Sequence, residues 1–250
     1  MLKDERKNEL LQLISQTEYI TIDELSSQLY ISPSTIRRNL TELEKLGYVK
    51  RSHGGVELCD DSRHAPLQLR AKKNHLAKNQ IARQAAQRIK DNSVIFIDGS
   101  SSCLHMLPYL SKKKNITVYT NGMELCSLLS ETDIPTHCLG GQLLPRSLAF
   151  AGEQAIIQAK SLYFDALFFS CGGLTSDTVT DYSQSECFLR RVLLEQSNEQ
   201  YLLCDSSKMG KRYPYIICQQ NTLTDVITDC SNNNEIPYKE EEHDTVLSAT

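Results

Sequence analysis

No stretch of the chain approaches the roughly 18 consecutive apolar residues of a membrane span, and its first twelve residues are charged where a signal peptide would have an apolar core. Both absences predict a cytoplasmic protein that makes no membrane contact. The nine cysteines, at 59, 103, 126, 138, 171, 187, 204, 218 and 230, form no C-x-x-C pair, and no histidine stands at zinc-finger spacing from them. That pattern argues against a metal site or a disulfide framework and leaves buried thiols as the expectation. With only 11 Gly and 7 Pro in 250 residues, and no fixed repeat, collagenous, low-complexity and solenoid chains are excluded. What remains is ordinary globular usage, 40% hydrophobic and 23% charged, at a length that suits one large domain or two unequal ones.

A net charge of −4 argues against a nucleic-acid partner until it is divided along the chain. From Asp229 onward six acids face Lys239 alone, so the remainder is near neutral. Within that remainder, Pro33 to His53 carries Arg37, Arg38, Lys45, Lys50 and Arg51 against Glu42 and Glu44. Local charge, not total charge, decides the partner question.

The first fifty-odd residues predict three helices and a hairpin. Leu2, Leu10, Leu11, Leu13 and Ile14 recur near helical spacing, giving a first helix that ends near Gln16. Thr21-Ile22-Asp23-Glu24 is the Ser/Thr-x-x-Glu pattern of reciprocal capping and starts a second helix. Ser32 and Pro33 start a third, which Gly47 closes. On that third helix Ile36, Leu40, Leu43 and Leu46 form an apolar stripe, and Ser34, Arg37, Arg38, Thr41 and Lys45 lie opposite. Residues 48–51 and 56–58 predict two strands around Ser52-His53-Gly54-Gly55. The plan is a winged helix-turn-helix over 3–58.

Residues 59–70 are polar and aperiodic and read as a linker. A helix is predicted over 71–90, with six Lys/Arg and no acid, which reads as a solvated face. Strands at 94–97, 116–119, 166–169, 201–204 and 226–227 alternate with helices at 104–110, 123–129 and 185–195, which predicts a mainly parallel α/β sheet over 71–229. Residues 230–250 read as an acidic, disordered tail.

The major groove accepts one amphipathic helix, and guanine presents O6 and N7 to a bidentate arginine. Arg37 and Arg38 are placed for that contact or for phosphate. Ser32, Ser34, Thr35 and Thr41 add hydroxyls, and Lys50, Arg51, His53 and Gly54 form a wing beside the flanking backbone. Ser32-Pro33-Ser34-Thr35-Ile36-Arg37-Arg38-Asn39-Leu40, with Leu43-Glu44, Gly47, Arg51 and His53-Gly54-Gly55, resembles the amino-terminal signature of the DeoR family of bacterial transcriptional repressors. Asn39 departs from it, since the family usually has aspartate there.

The resemblance continues through Arg70, Lys78 to Ala82, Asp98, Thr120-Asn121, Leu139-Gly140-Gly141, Gly152, Ser170 to Gly173, Glu186, Arg190-Arg191 and Asp205 to Lys208, and so spans residues 3 to 229. It implies a second domain similar in fold to sugar-phosphate isomerases, a phosphorylated sugar as effector, release from operator DNA when that effector binds, and a homo-oligomer. It implies no cofactor and no catalytic residue. Asp98-Gly99-Ser100-Ser101-Ser102 stands where the family commonly has Asp-x-Gly-Thr-Thr.

Independent of the resemblance, Asp98 to Ser102 lies between a strand end and a helix start, where free amides favour an anion. The candidate effector set is Asp98, Ser100, Ser101, Ser102, Thr120, Asn121, Gly140, Gly141, Gly172, Glu186, Asp205 and Lys208. Beyond that loop the set rests on the resemblance, which implies that Lys208 balances phosphate charge and that Asp98, Glu186 and Asp205 accept sugar hydroxyls. His105 and His137 read as satisfied core histidines. Two other classes stay open on the residues alone. One is a sugar-phosphate isomerase with an appended DNA-binding module, using Asp98, Glu186 and Lys208 as proton carriers; the other is an activator blind to sugar phosphates.

Overall fold

The computed structural model describes residues 3–14, 17, 19–45, 48–52, 54–58 and 65–230. The expectations placed on Leu46, Gly47, His53, Cys59 and the tail from Ser231 lie outside the described residues.

The amino-terminal unit runs α1 (Lys3–Ile14), β1 (Ile20–Thr21), α2 (Ile22–Leu29), α3 (Pro33–Lys45), β2 (Val49–Ser52) and β3 (Gly55–Leu58). The capping box at α2 is formed as its sequence dictates. Glu24 N donates to the Thr21 hydroxyl at 3.2 Å, and Thr21 N donates to Glu24 Oε2 at 2.8 Å. Leu10, Ile14, Leu25, Ile36, Leu40 and Leu43 close one buried core. Ile20-Thr21, too short to be legible as a strand, pairs with β3 and makes the hairpin three-stranded.

The segment read as linker ends in a helix, α4 (Leu67–Lys72), because Leu67 and Leu69 are two apolar residues that both find buried seats. The helix predicted over 71–90 therefore starts late. Lys73 is extended and Asn74 is left-handed (φ 55°), so α5 spans only His75–Gln87. Next come β4 (Val94–Ile97), α6 (Ser101–Leu104), α7 (Leu107–Leu110), β5 (Thr117–Thr120), α8 (Met123–Leu129) and β6 (Thr136–Cys138). The single helix expected over 104–110 is two short ones, since Pro108 has no N–H with which to continue the ladder. Then follow β7 (Gln142–Leu144), β8 (Ala149–Ala151), α9 (Glu153–Lys160), β9 (Phe164–Phe169), β10 (Gly173–Leu174), β11 (Thr178–Asp181), α10 (Gln184–Glu195), β12 (Ser197–Leu203), β13 (Tyr215–Gln219) and β14 (Asp225–Ile227).

Six of these strands form one parallel sheet in the order β14-β12-β9-β4-β5-β6. Alternate residues go to opposite faces. Ile95, Ile97, Ala166 and Phe168 join α5 residues Ile81 and Ala85 on one side, while Phe96, Leu167 and Phe169 join Ala155 of α9 and Leu193 of α10 on the other. Coverage on both faces is why these strands read as unbroken apolar runs. From β4 the chain builds outward through β5 and β6, then returns to place β9 on the other side. The switch between β4 and β9 opens a crevice at the strands' carboxyl ends, where open α/β sheets bind ligands. Cys103, Cys171, Cys187 and Cys204 are buried thiols as expected, whereas Cys138 at the sheet edge is exposed.

Candidate functional site

Just before α3, Ser32 is exposed; on α3, Ser34, Arg37 and Arg38 are exposed, and Thr35 and Thr41 are half-buried. The apolar stripe fixes this orientation by turning Ile36, Leu40 and Leu43 inward. The hydroxyls form a cluster. Ser32 Oγ lies 3.1 Å from Ser34 Oγ and donates to Thr35 Oγ1 at 3.0 Å. Thr41 Oγ1 donates to the Arg37 carbonyl at 2.9 Å and accepts from Arg51 Nη1 at 3.1 Å. Arg51 N also donates to Glu44 Oε1 at 3.2 Å. Thr41 and Arg51 thus tie the wing to α3, while Arg37 and Arg38 project outward. Lys50, on the wing, is exposed and pairs loosely with Glu57 at 3.6 Å, and Gly54 turns the chain with φ 85°. Asn39, 2% exposed, faces the core with Nδ2 unpartnered. Sequence reasoning missed Tyr30, which is 96% exposed and left-handed (φ 55°) in the turn between α2 and α3.

At the switch point the structure gathers part of the predicted effector set around a cavity of about 100 Å³. Ser100, Ser101, Gly172, Asp205 and Lys208 line it. Ser102, fully buried, sits just behind, where its Oγ accepts from Lys208 Nζ at 3.3 Å. Lys208 also donates to Ser170 Oγ at 2.8 Å, so one ammonium joins the ends of β4, β9 and β12. Burial is the largest influence and opposes the Lys208 charge, yet Asp205, 3.8 Å away, and then Cys171 and Cys204 together overcome it and raise the lysine's pKa. Burial likewise opposes the Asp205 charge. Lys208, then Ser207, Lys78 and Asn74, overcome it and hold the carboxyl below its usual range.

Asp98 stands apart from the cavity lining. It is 2% exposed, and its Oδ2 accepts from Arg190 Nε at 3.0 Å while Oδ1 accepts from Ser100 N at 3.0 Å. Arg190 also reaches Asp181 at 2.8 Å and Glu186 at 3.8 Å. Burial opposes the guanidinium charge, but Asp98, Asp181 and Glu186 keep its pKa above the ordinary value. Glu186 lines a neighbouring hollow of about 390 Å³ that shares Arg70 and Tyr182 with the cavity.

The other predicted positions brace the loops. Gly99 N donates to Asn121 Oδ1 at 2.9 Å, Asn121 Nδ2 donates to Phe150 O at 3.0 Å, and Thr120 Oγ1 accepts from Gly122 N at 3.0 Å. A Cβ on Gly99 would come within 2.8 Å of Gly122 Cα, so these two loops touch through bare backbone. Gly140 and Gly141 form the turn after β6. Gly141 has φ +139°, and a Cβ there would meet Ala151 O at 2.6 Å; neither glycine lines the cavity.

Sequence reasoning missed most of the cavity's charge. Arg70, Lys73, Lys78, Arg190 and Lys211 all line it, with Asn74, Ser170, Asp181, Tyr182 and Ser207. The signal was the acid-free basic run over 71–90, taken for a solvated face; Lys78 within it is 4% exposed. Burial, then the neighbouring charge of Lys208, pushes its pKa down to about 7. Arg70 Nε is buried and has no partner. His105 is the satisfied histidine expected, between the Asn79 side-chain amide at 3.0 Å and Ala71 O at 2.9 Å, whereas His137 is not a core histidine but lies exposed on the edge strand β6, stacked on Tyr119. A hollow of about 670 Å³ lies at the amino-terminal end of β5, lined by Lys113, Asn115, Thr117 and Pro135, far from every predicted position. Among the described residues there is no cluster of three or more metal-ligating side chains and no helix long and apolar enough to cross a membrane.

Comparison with known proteins gives this arrangement a family. The DeoR-like helix-turn-helix domain matches residues 6–62, and the DeoR C terminal sensor domain matches residues 73–230. The chain is 32% identical to the lactose phosphotransferase system repressor of Streptococcus mutans, covering 94% of this chain and 96% of that one. It is also 32% identical to the HTH-type transcriptional regulator FruR of Bacillus subtilis, over 84% of this chain and 85% of the relative. Among solved structures, ribose 5-phosphate isomerase A of Methanocaldococcus jannaschii aligns with a TM-score of 0.42 at 17% identity, covering 56% of this chain and 59% of that one. Exposed arginines on a helix-turn-helix, joined to an α/β sensor domain and matched over nearly the whole length, place this chain in the DeoR family of transcriptional regulators.

Proposed function

We propose that the chain is a repressor of a sugar-metabolism operon, which binds operator DNA through α3 and the wing and lets go when a phosphorylated sugar occupies the cavity at the β4–β9 switch point. The observation that carries this reading is the Lys208 ammonium held between the hydroxyls of Ser102 and Ser170, with Lys78, Lys73, Arg70 and Lys211 around the same small cavity. So many cations around so few acids suit a phosphate dianion. Ser100, Ser101 and Gly172 line the same space, and Asp205 is the carboxylate placed to accept a sugar hydroxyl. Asp98 and Glu186 act at one remove, by orienting Arg190.

The same geometry favours a sensor over an isomerase. Two of the three candidate proton carriers, Asp98 and Glu186, are engaged by Arg190, and Asp98 lies behind the cavity wall. The relatives named as a repressor and a transcriptional regulator support that assignment. Helix-turn-helix proteins read paired half-sites, so the working form is a homo-oligomer.

The test is a fluorescence anisotropy titration of the full chain on DNA from its own promoter region, at fixed salt, with individual sugar phosphates. Release by one phosphate but not by the matching unphosphorylated sugar is expected. Binding without release by any member would overturn the effector assignment. Product formed from a sugar phosphate, and lost in Glu186→Gln, would restore the enzyme.

A further inference from the structure

The helix α4 belongs to both halves of the molecule. Leu69, 7% exposed, sits in the same buried cluster as Leu10, Leu40 and Leu43 of the winged helix. Arg70, the next residue, lines the cavity. At its other end α4 docks on the sensor domain through Leu67 N, which donates to Arg146 O at 2.9 Å.

A helix of six residues leaves its last carbonyls without intrahelical partners. Here two side chains take them. Lys78 Nζ donates to Arg70 O and, at 2.6 Å, to Lys73 O. His105 Nε2 meets Ala71 O at 2.9 Å, and since a carbonyl only accepts, that nitrogen carries the proton. Both donors come from the sensor domain, Lys78 from α5 and His105 from the end of α6. Only Lys78 also lines the cavity.

We infer that Lys78 and His105 form a latch on the carboxyl end of α4, and that an anion in the cavity opens it by drawing the Lys78 ammonium off the carbonyls of Arg70 and Lys73. With one prong withdrawn, α4 loosens and Leu69 no longer fixes the winged helix to the sensor domain. The chemistry favours this exchange. A phosphate oxygen is a stronger acceptor for an ammonium than a peptide carbonyl, and Lys78 already sits among like charges from Lys208, Arg70 and Lys73, with Asp205 the one opposing charge. The inference rests on the effector reading above and specifies how that site is regulated. Lys78 and His105 are positioning residues for DNA binding.

The experiment is hydrogen exchange by mass spectrometry on the full chain, with operator affinity measured in parallel. Probes are inorganic phosphate, fructose 1-phosphate, fructose 6-phosphate and galactose 6-phosphate, each first scored for binding by thermal shift. In the wild type, a bound probe should lower the protection of 67–73. Lys78→Met should show that low protection without any probe and bind operator about tenfold more weakly. His105→Ala, which leaves the cavity untouched, should weaken operator binding in the same direction and retain the probe's thermal shift. If α4 protection stays unchanged or rises when a probe binds, or if both variants hold α4 and DNA as the wild type does, the latch is wrong. If no probe binds the wild type, the effector reading fails instead, and the two variants still decide the latch.

Discussion

Helices α3 and α5 are each 13 residues long, and both carry bases with few or no acids. Their cations nevertheless do opposite things. Arg37 and Arg38 of α3 stand in water, so each keeps its hydration and its charge and is available to a polyanion from outside. Lys78 of α5 is 4% exposed and has lost most of its hydration, which is why its pKa falls to about 7. A basic residue therefore serves long-range attraction when solvated and selective, proton-linked recognition when desolvated. Sequence shows the charge, and only packing shows which kind it is.

The sharpest break in that contrast would come at Arg190. Arg190→Met should leave buried Asp98 and Asp181, and half-buried Glu186, without their shared cation and destabilise the chain by about 3–5 kcal/mol, read as a lowered urea midpoint. A loss below about 1 kcal/mol would mean the three carboxylates do not depend on the guanidinium. On the solvated side, Arg38→Ala should weaken operator binding by about 1–3 kcal/mol if the contact is a bidentate base contact, with thermal stability and effector binding unchanged. Unaltered affinity at matched salt would remove Arg38 from the interface.

The proton linkage of Lys78 sharpens the comparison further. Its folded pKa of about 7 lies below the ordinary lysine value of 10.5. Between these values the unfolded chain holds a proton that the folded chain has released, so the lysine's contribution to stability rises with pH across that window and is lost as pH falls toward 7. Anion binding favours the protonated form. Effector affinity should therefore fall by up to about tenfold per pH unit above 7, and Lys78→Met should flatten the profile. The groups facing this amine are Lys208, Arg70 and Lys73, with Asp205 opposing them. An equally steep profile in the variant would assign the proton to another of them.

The smallest effect belongs to Tyr30. Its left-handed backbone at the end of α2 is a position that glycine fills without strain. Tyr30→Gly should raise stability by about 1 kcal/mol. If operator affinity falls despite that gain, the exposed ring contacts DNA.

Local signals were legible in this chain because they are local. Thr21 and Glu24 are three residues apart, and the stripe of Ile36, Leu40 and Leu43 spans two turns. The central strands announced themselves through runs such as Val94 to Ile97. The two- and three-residue strands β1, β6 and β10 did not, since so few residues carry no period. The cavity at the switch point was half legible. Serines after a strand end pointed to Ser100 and Ser101, but Arg190 is 92 residues from Asp98 and nothing local to either predicts their pairing. Gly140 and Gly141 suit a ligand approach or an ordinary turn equally well in the sequence, and in the structure they form the turn after β6, outside the cavity lining. Lys78 was misread for want of knowing that α4 would form and cover it.

The order in which the site's parts occur along the chain has a consequence during synthesis. Every residue of the winged helix's buried cluster has been made by Leu69, whereas the cavity requires Lys208, about 140 residues later. At bacterial and eukaryotic elongation rates that gap is on the order of ten seconds. A nascent chain thus holds the means of gripping an operator before it holds the means of being told to release it.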